Sequence, residues 1–428
     1  MTRVGLALHR TFHSLHTRNF RLYFIGQVVS VTGTWINATA SAWLVLTITN
    51  SGVALGVNTA LTFLPILLIG AFGGLMADRF DKRRILIGTQ VAYAVLALSL
   101  FALVQTDVVR LWMVYALSLG AGIVTALDNP TRQSFYMELV GEKDLTNAVS
   151  LNGAVFTGTR ILGPALAGFM ILAGGTALCF LVDGVSYIAV IGALLAMRRR
   201  DLHVQKRAKG DGAGIREGFR YVWESPELRR PLLVMTVVFT LSFNFSVLVP
   251  LLAKQTFGGT AGTFGIMSAL GGLGSFVGAL VMANRASART RAPDMRRLGT
   301  FALATGATLA FTAVAPTLWW AYVSMVPLGL TVMIFIIVGN SMLQLASRPE
   351  LRGRVMAIYG MVFLGSTPVG AIIVGWLGEL SGARAGFALG ALAALIAGAG
   401  ALWWQRMPAS RAPEVLVEAE LEPPMSSA

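Results

Sequence analysis

Charge is scarce in this chain. Only 13% of its 428 residues are Asp, Glu, Lys or Arg, against 55% hydrophobic, and mean hydropathy is +0.69. Soluble globular domains carry about 25% charged residues, so one water-covered globule is excluded. Cysteine is scarcer still: Cys179 stands alone, and no intrachain disulfide can form. The four histidines, His9, His13, His16 and His203, lie outside the long apolar runs, which rules out an intramembrane haem or zinc site built from them. No G-x-x-x-x-G-K-[ST] phosphate loop and no D-D-x-x-D carboxylate set occurs. No enzyme, metal or cofactor chemistry is therefore expected. A cleavable leader is not expected either, because the first apolar run is too long and reads as a retained helix.

Apolar runs are plentiful. Twelve occur, over 20–47, 53–77, 84–105, 111–135, 146–173, 176–197, 230–253, 262–283, 297–314, 317–345, 354–378 and 384–405. A helix needs about 20 such residues to cross a hydrocarbon core about 30 Å thick. The pattern predicts an all-α membrane protein of twelve transmembrane helices. Trp112, Trp319, Trp320, Trp403 and Trp404 fall near predicted span ends, as interfacial aromatics do. Net charge is +14 and the pI about 10.7, totals that by themselves would invite a nucleic-acid partner. The distribution rejects one. Of 34 Lys and Arg, all but four fall in segments on one face; the exceptions are Arg110, Lys254 and Arg384 on the other face and Arg160 within a span. This positive-inside asymmetry predicts both termini in the cytoplasm.

Residues 198–229 divide the chain into two six-helix bundles, 19–197 and 230–406, flanked by a cytoplasmic segment 1–18 and a disordered tail 407–428. In 1–18, Val4, Leu8, Phe12 and Leu15 share a helical stripe, which either lies on the membrane surface or is a partly ordered tail. The central loop opens with Arg198-Arg199-Arg200, passes a glycine-rich stretch and predicts an amphipathic helix stopped by Pro226 and Pro231. The halves echo each other: Leu75-Met76-Ala77-Asp78-Arg79 with Val281-Met282-Ala283-Asn284-Arg285, and Asn129 and Gln133 with Asn340 and Gln344. Such duplication places a substrate site between the halves of many secondary transporters.

Between the second and third runs lies Gly73-Gly74-Leu75-Met76-Ala77-Asp78-Arg79-Phe80-Asp81-Lys82-Arg83-Arg84. Gly73 and Gly74 let helices approach closely. Asp78, at a span end, can accept from the amides of a neighbouring helix amino terminus. Arg79, Lys82, Arg83 and Arg84 can pair with acids or lipid phosphates, and Asp81 can pair with Arg83 or Arg84. The bland alternative is a basic loop with an incidental Asp. The hairpin resembles the loop-2–3 signature of the major facilitator superfamily, G-x-L-a-D-R-x-G-R-[KR], with Asp81 at its second Gly. The resemblance implies two pseudo-symmetric six-helix bundles and an Asp78 that locks the inner gate of one state.

Span five holds Gly158, Gly163, Pro164 and Gly168, which resemble the antiporter motif of the drug-efflux branch, G-x-x-x-G-P-x-x-G-G. Pro164 bends the helix and the glycines allow tight packing on the opposite half. The motif reads either as a packing kink or as a coupling element. Gly365-Ser366-Thr367-Pro368-Val369-Gly370 is a looser counterpart in span eleven.

Asp128, Arg160 and Asp183 lie within spans. An ionised group at the bilayer centre costs at least about 2.5–3.5 kcal/mol unless paired or hydrated, so each is a functional candidate. With Arg132 they are the coupling candidates. Asp128 and Arg160 are expected to pair, as a polar switch or as a static buried pair, and Asp183 is read as structural. The superfamily lines its cavity with spans one, four, seven and ten. That makes Gln27, Asn37, Asn244, Asn340 and Gln344 substrate-contact candidates, with Trp35 and Phe243 as aromatic walls; a helix-packing hydrogen bond is the alternative for each.

Further stretches narrow the resemblance. Gly26-Gln27, Thr34-Trp35, Asn129-Pro130-x-Arg132-Gln133, Asp144-Leu145-x-Asn147-Ala148 and Glu217-Gly218-Phe219-Arg220-Tyr221 look like the branch that holds the enterobactin exporter and macrolide efflux proteins. The resemblance implies a monomeric exporter in the bacterial inner membrane, among membrane lipids, using the proton gradient and alternating access. Its small-molecule substrate would be a siderophore, a macrolide or another drug-like compound. Span one lacks the acidic residue of some multidrug antiporters. A nutrient importer of the same fold is the rival reading. A lipid-modifying enzyme or sensor would need a catalytic constellation or signalling domain that the sequence does not contain.

Overall fold

The structure, a computed structural model, describes residues 13–203, 214–287, 294–348 and 351–406. After a 3-10 turn at His13–His16 come α1 Arg18–Thr49, α2 Gly52–Arg79, α3 Lys82–Gln105 and α4 Leu111–Ala196. A short α5, Gly214–Glu224, precedes α6 Pro226–Ser242, α7 Phe245–Leu251 and a π turn at Leu252–Thr256. The chain continues with α8 Ala261–Ser287, α9 Met295–Ala313, α10 Leu318–Ala346, α11 Arg352–Gly365, α12 Thr367–Ser381 and α13 Ala383–Arg406. No strand occurs among the described residues. Eight of these helical stretches are long and apolar enough to cross a membrane.

Local chemistry explains the breaks. A straight helix of 86 residues would run about 130 Å, several bilayers deep, yet α4 is that long by continuity alone. It folds back at Gly141 (φ 71°) and at Gly174-Gly175 (Gly175 φ 74°), left-handed turns that suit glycine, giving segments 111–140, 142–173 and 176–196. Ser51, Asp81 and Asp294 cap the starts of α2, α3 and α9, their side chains accepting from the Ala54, Arg84 and Arg297 amides. Pro226 opens α6 at its first turn and Pro231 lies inside it; so Pro231 stops no helix, contrary to the sequence reading. The amino-terminal stripe up to residue 12, the glycine-rich stretch 204–213 and the tail 407–428 lie outside the described residues.

Packing differs between the two ends of the molecule. At the end away from the 73–84 hairpin, one apolar core joins both chain halves: Leu44, Leu46 and Leu55 pack in one cluster with Leu251, Val374 and Phe387. At the hairpin end the core divides. Phe20, Tyr23, Phe135 and Leu139 form one cluster, and Met235, Phe239, Phe335 and Val338 form another. The halves are thus joined at one end and parted at the other. Backbone-tight seams close the joined end. α2 meets α12 where Gly52 faces the Gly375 carbonyl, and α4 meets α8 where a Cβ on Gly265 would lie 2.7 Å from the Pro164 carbonyl oxygen. Small residues at both seams let backbones touch.

Candidate functional site

The hairpin is anchored from inside its own half. Arg83 is buried, and its Nε and Nη2 donate to the Leu194 and Leu195 carbonyls at 2.7 and 3.2 Å, pinning the start of α3 to the end of α4. Lys82 Nζ donates to Glu138 Oε1 at 2.6 Å. Asp81 lies 3.8 Å from Arg84, the pairing open to it in sequence; Arg83 is committed to carbonyls instead. Asp78, Arg79 and Arg84 are exposed at the parted end. Gly73 has no room for a Cβ against the Ala126 carbonyl, whereas Gly74 has open space beside it. The close-approach role expected of both glycines therefore falls to Gly73 alone.

A buried polar cluster lies farther in. Asp128 Oδ1 accepts from Thr89 Oγ1 at 2.7 Å and from Gln90 Nε2 at 2.9 Å. Its Oδ2 accepts from Arg132 Nε at 2.9 Å and from Arg132 Nη2, one helical turn away on α4. Arg132 Nη1 reaches across to Gln27 of α1. Asp128, Gln90 and Gln27 are almost fully buried. The expected Asp128–Arg160 pair is therefore not formed: at i,i+4 on one helix, Arg132 satisfies the carboxylate. Three buried polar atoms at the cluster's edge have no partner among the described residues: Tyr23 Oη, Gln27 Nε2 and Gln90 Oε1. A buried ion pair with idle polar atoms around it is a site that another arrangement or a proton can satisfy differently.

Arg160 lies elsewhere. Its guanidinium sits 5.9 Å from the centroid of the Trp35 ring, and Trp35 meets Phe156 edge-on at 5.6 Å. Gly163 packs on Trp35 Cβ within the same half, and Gly158 has nothing within 4 Å. Of the span-five motif, Pro164 and Gly168 are the residues that touch the other half, through α8 at Gly265 and Ala261. Asp183 is buried and accepts from Asn37 Nδ2 at 2.7 Å and Tyr187 Oη at 3.4 Å, while its Oδ1 has no hydrogen-bond partner among the described residues. Asn37 is thereby engaged with Asp183.

In the carboxy-terminal half, Phe243 and Asn244 occupy the break between α6 and α7. Asn244 is buried; its Nδ2 donates to the Thr240 carbonyl at 2.7 Å and its Oδ1 has no hydrogen-bond partner among the described residues. Phe243 joins Phe239, Phe245 and Phe335 in a cluster of rings. Gln344 donates to Asn340 along α10, and Gln344 is exposed. The span-eleven counterpart is a break in the helix, with α11 ending at Gly365 and α12 starting at Thr367.

Sequence reasoning overlooked Thr89, Gln90 and Glu138. The first two are adjacent polar residues in an otherwise apolar span, a signal that ranking by charge passes over. It also overlooked Glu379, which accepts from Ser51 Oγ and, at 3.0 Å, from the Val53 amide across the joined end.

Over residues 9–427 the chain matches the family model described as transmembrane secretion effector. The chain belongs to this family. It is a membrane transporter of the major facilitator superfamily, of the efflux branch. The transporter is 24% identical over 263 residues to the staphyloferrin A transporter of Staphylococcus aureus, covering 61% of this chain and 66% of that one. It is 27% identical over 398 residues to the multidrug efflux pump Tap of Mycolicibacterium fortuitum, covering 88% and 93%. Macrolide efflux protein A of Streptococcus pyogenes is 23% identical over 358 residues, covering 83% and 88%. In fold it resembles a bacterial homologue of the human lysosomal transporter Spinster in an inward-facing, unoccupied conformation (14% identity, TM-score 0.70, 90% of this chain and 95% of that chain). It also resembles the POT family transporter PepTSo (12% identity, TM-score 0.73, 91% and 98%). These relatives are named as a transporter, a multidrug efflux pump and a macrolide efflux protein.

Proposed function

We propose that the transporter exports a small organic molecule by alternating access across twelve spans, drawing on the proton gradient. Dividing α4 at its two glycine turns and adding α1 and α9 to the helices long enough to span gives the twelve, six on either side of the central loop. The basic hairpin end faces the cytoplasm by the positive-inside rule, so both termini do too. The observation that carries the reading is the shared core at one end and the divided core at the other. That asymmetry is what one state of a rocking pair of bundles requires, here the state open to the cytoplasm. Exposed Asp78 is then an unlatched gate residue, free to meet the opposite half when the hairpin end closes.

The polar cluster around Asp128 and Arg132 is the coupling element in this reading, with Asp183 as a second carboxylate. Trp35, Phe243, Asn340 and Gln344 supply the walls that meet substrate. Direction and substrate class lean on the relatives: pumps named for drugs and macrolides, and a transporter named for a siderophore. The test is uptake into inverted membrane vesicles from a bath holding, in turn, each of a panel of macrolides, dyes and siderophores, with and without a protonophore. Gradient-dependent accumulation of at least one compound, abolished by the protonophore, supports export. Asp128→Asn is expected to remove the pH dependence of that accumulation. An unchanged pH profile in the variant rejects the cluster as coupling element, and inactivity toward the whole panel under any ion gradient rejects transport.

A further inference from the structure

Among the described residues, Arg160 is a cation within a span that has neither a carboxylate nor a hydrogen-bond partner. Asp128 is fully engaged by Thr89, Gln90 and Arg132. Asp183 is buried among neutral partners, Asn37 and Tyr187. The carboxy-terminal half has no acidic residue between Asp294 and Glu350 in sequence; Asp294 caps the start of α9, and Glu379 lies at the joined end. Arg160 makes no ion pair and no hydrogen bond with any described residue; its one recorded contact is the face of Trp35. A bare guanidinium is costly in hydrocarbon, so its partly buried side chain must look onto water or onto an anion.

Its position says which opening it looks into. Along the α4–α8 seam, backbone contact runs from Gly168 to Gly272, where a Cβ would lie 3.1 Å from the Arg160 carbonyl oxygen. Toward the hairpin the helices part. Gly158 and Gly153 have nothing within 4 Å. Phe156, Phe276 and Leu280 are 53%, 39% and 54% exposed there. Arg160 therefore marks the apex of the cleft between the halves. Beside it stand an indole face and the Phe156 ring, an apolar surface that suits the body of a ligand.

We propose that Arg160 and Trp35 form the head-group site for an amphipathic organic anion, one carboxylate beside an aromatic or aliphatic body. The guanidinium fork takes a carboxylate through two parallel N–H donors, and Trp35 holds the fork flat from behind. A single unpaired cation matches a single negative charge, which favours a monocarboxylate over a doubly charged phosphate. The inference rests on the cleft being the substrate path, and it names the chemistry that path selects.

Equilibrium binding to the purified full-length transporter in phosphatidylcholine nanodiscs tests it. The probes are dansylglycine (anionic), dansylamide (neutral) and dansylcadaverine (cationic), followed by fluorescence. Dansylglycine is expected to bind best. Arg160→Gln should weaken it tenfold or more and change dansylamide less than twofold, while Arg160→Lys keeps a measurable part of the preference. Trp35→Ala should weaken dansylglycine and dansylamide alike. No detectable dansylglycine binding, equal binding by wild type and Arg160→Gln, or a preference for dansylcadaverine overturns the proposal. No gradient is applied, so failure here stands apart from failure of transport. A chain that pumps dansylcadaverine yet ignores dansylglycine loses only this inference; one that binds dansylglycine and pumps nothing loses only the exporter reading.

Discussion

Inward from the hairpin, the amino-terminal half buries a polar cluster of Asp128, Arg132, Gln27, Thr89 and Gln90 beside its apolar core of Phe20, Tyr23 and Phe135. The corresponding depth of the carboxy-terminal half is filled by Phe239, Phe243, Phe335, Tyr359 and Phe363. Where Asn129 and Gln133 echo Asn340 and Gln344, Gly339 stands for Asp128 and Leu343 for Arg132. Met235 fills the space beside Gly339, and Leu343 is fully buried. Two copies of one fold thus separate two tasks. One half buries a charged, hydrogen-bonded network; the other buries packed rings. A polar network specifies its geometry through many directional bonds, whereas ring packing tolerates substitution of like volume.

The contrast can be broken most sharply at Arg132. Arg132→Leu leaves the buried Asp128 carboxylate unpaired and should cost about 3–5 kcal/mol, read as a lowered thermal midpoint in detergent. Adding Asp128→Ala, which makes the site resemble its counterpart, should return most of that loss; a double variant no better than the single would end the comparison. In the other half Phe239→Ala removes a ring that touches four others and should cost about 3 kcal/mol through its cavity, with Phe239→Leu much milder. Equal losses from both Phe239 variants would argue for a directional role like that of Asp128. Gly265→Leu presses a side chain on the Pro164 carbonyl and should cost about 1–3 kcal/mol while shifting spin-label distances at the joined end outward. Unchanged distances would mean that the seam is not what holds that end. The smallest effect is expected at Glu379→Gln, which weakens the hold on Ser51 and Val53 by about 1 kcal/mol, or about fivefold in the population of the joined state.

The helices and their approximate limits were legible because apolar length and glycine or proline punctuation are local signals. The connection between the runs 111–135 and 146–173 was legible in place but not in length, since only Gly141 separates the two helices and its flanks stay helical. Asp128 was legible as a candidate because charge in a span is rare, and its partner was misread. Arg160 was chosen as partner for its reach along neighbouring spans, but Arg132 lies one turn away on the same helix face. Thr89 and Gln90 escaped because neutral polar residues in spans are common and their direction depends on helix rotation. Gly74 matches the family spacing yet a Cβ there would meet nothing, because spacing records sequence and not which face turns toward a neighbour; Gly158, one residue out of register with G-x-x-x-G-P, also faces open space. The division of the core between the two ends is a property of how the halves lean, and no residue pattern records it.

The seams at the joined end bring glycines against main-chain oxygens, Gly52 on Gly375 and Gly265 on Pro164. Surfaces of that kind have few side-chain teeth to disengage. Helices meshed by large residues must lift a knob from its socket before they can shift, and rotamers must change in concert. In the proposed alternating-access cycle, smooth contact of this kind lets one half roll on the other with little gearing, so the work of switching concentrates in the few polar clasps at the rims.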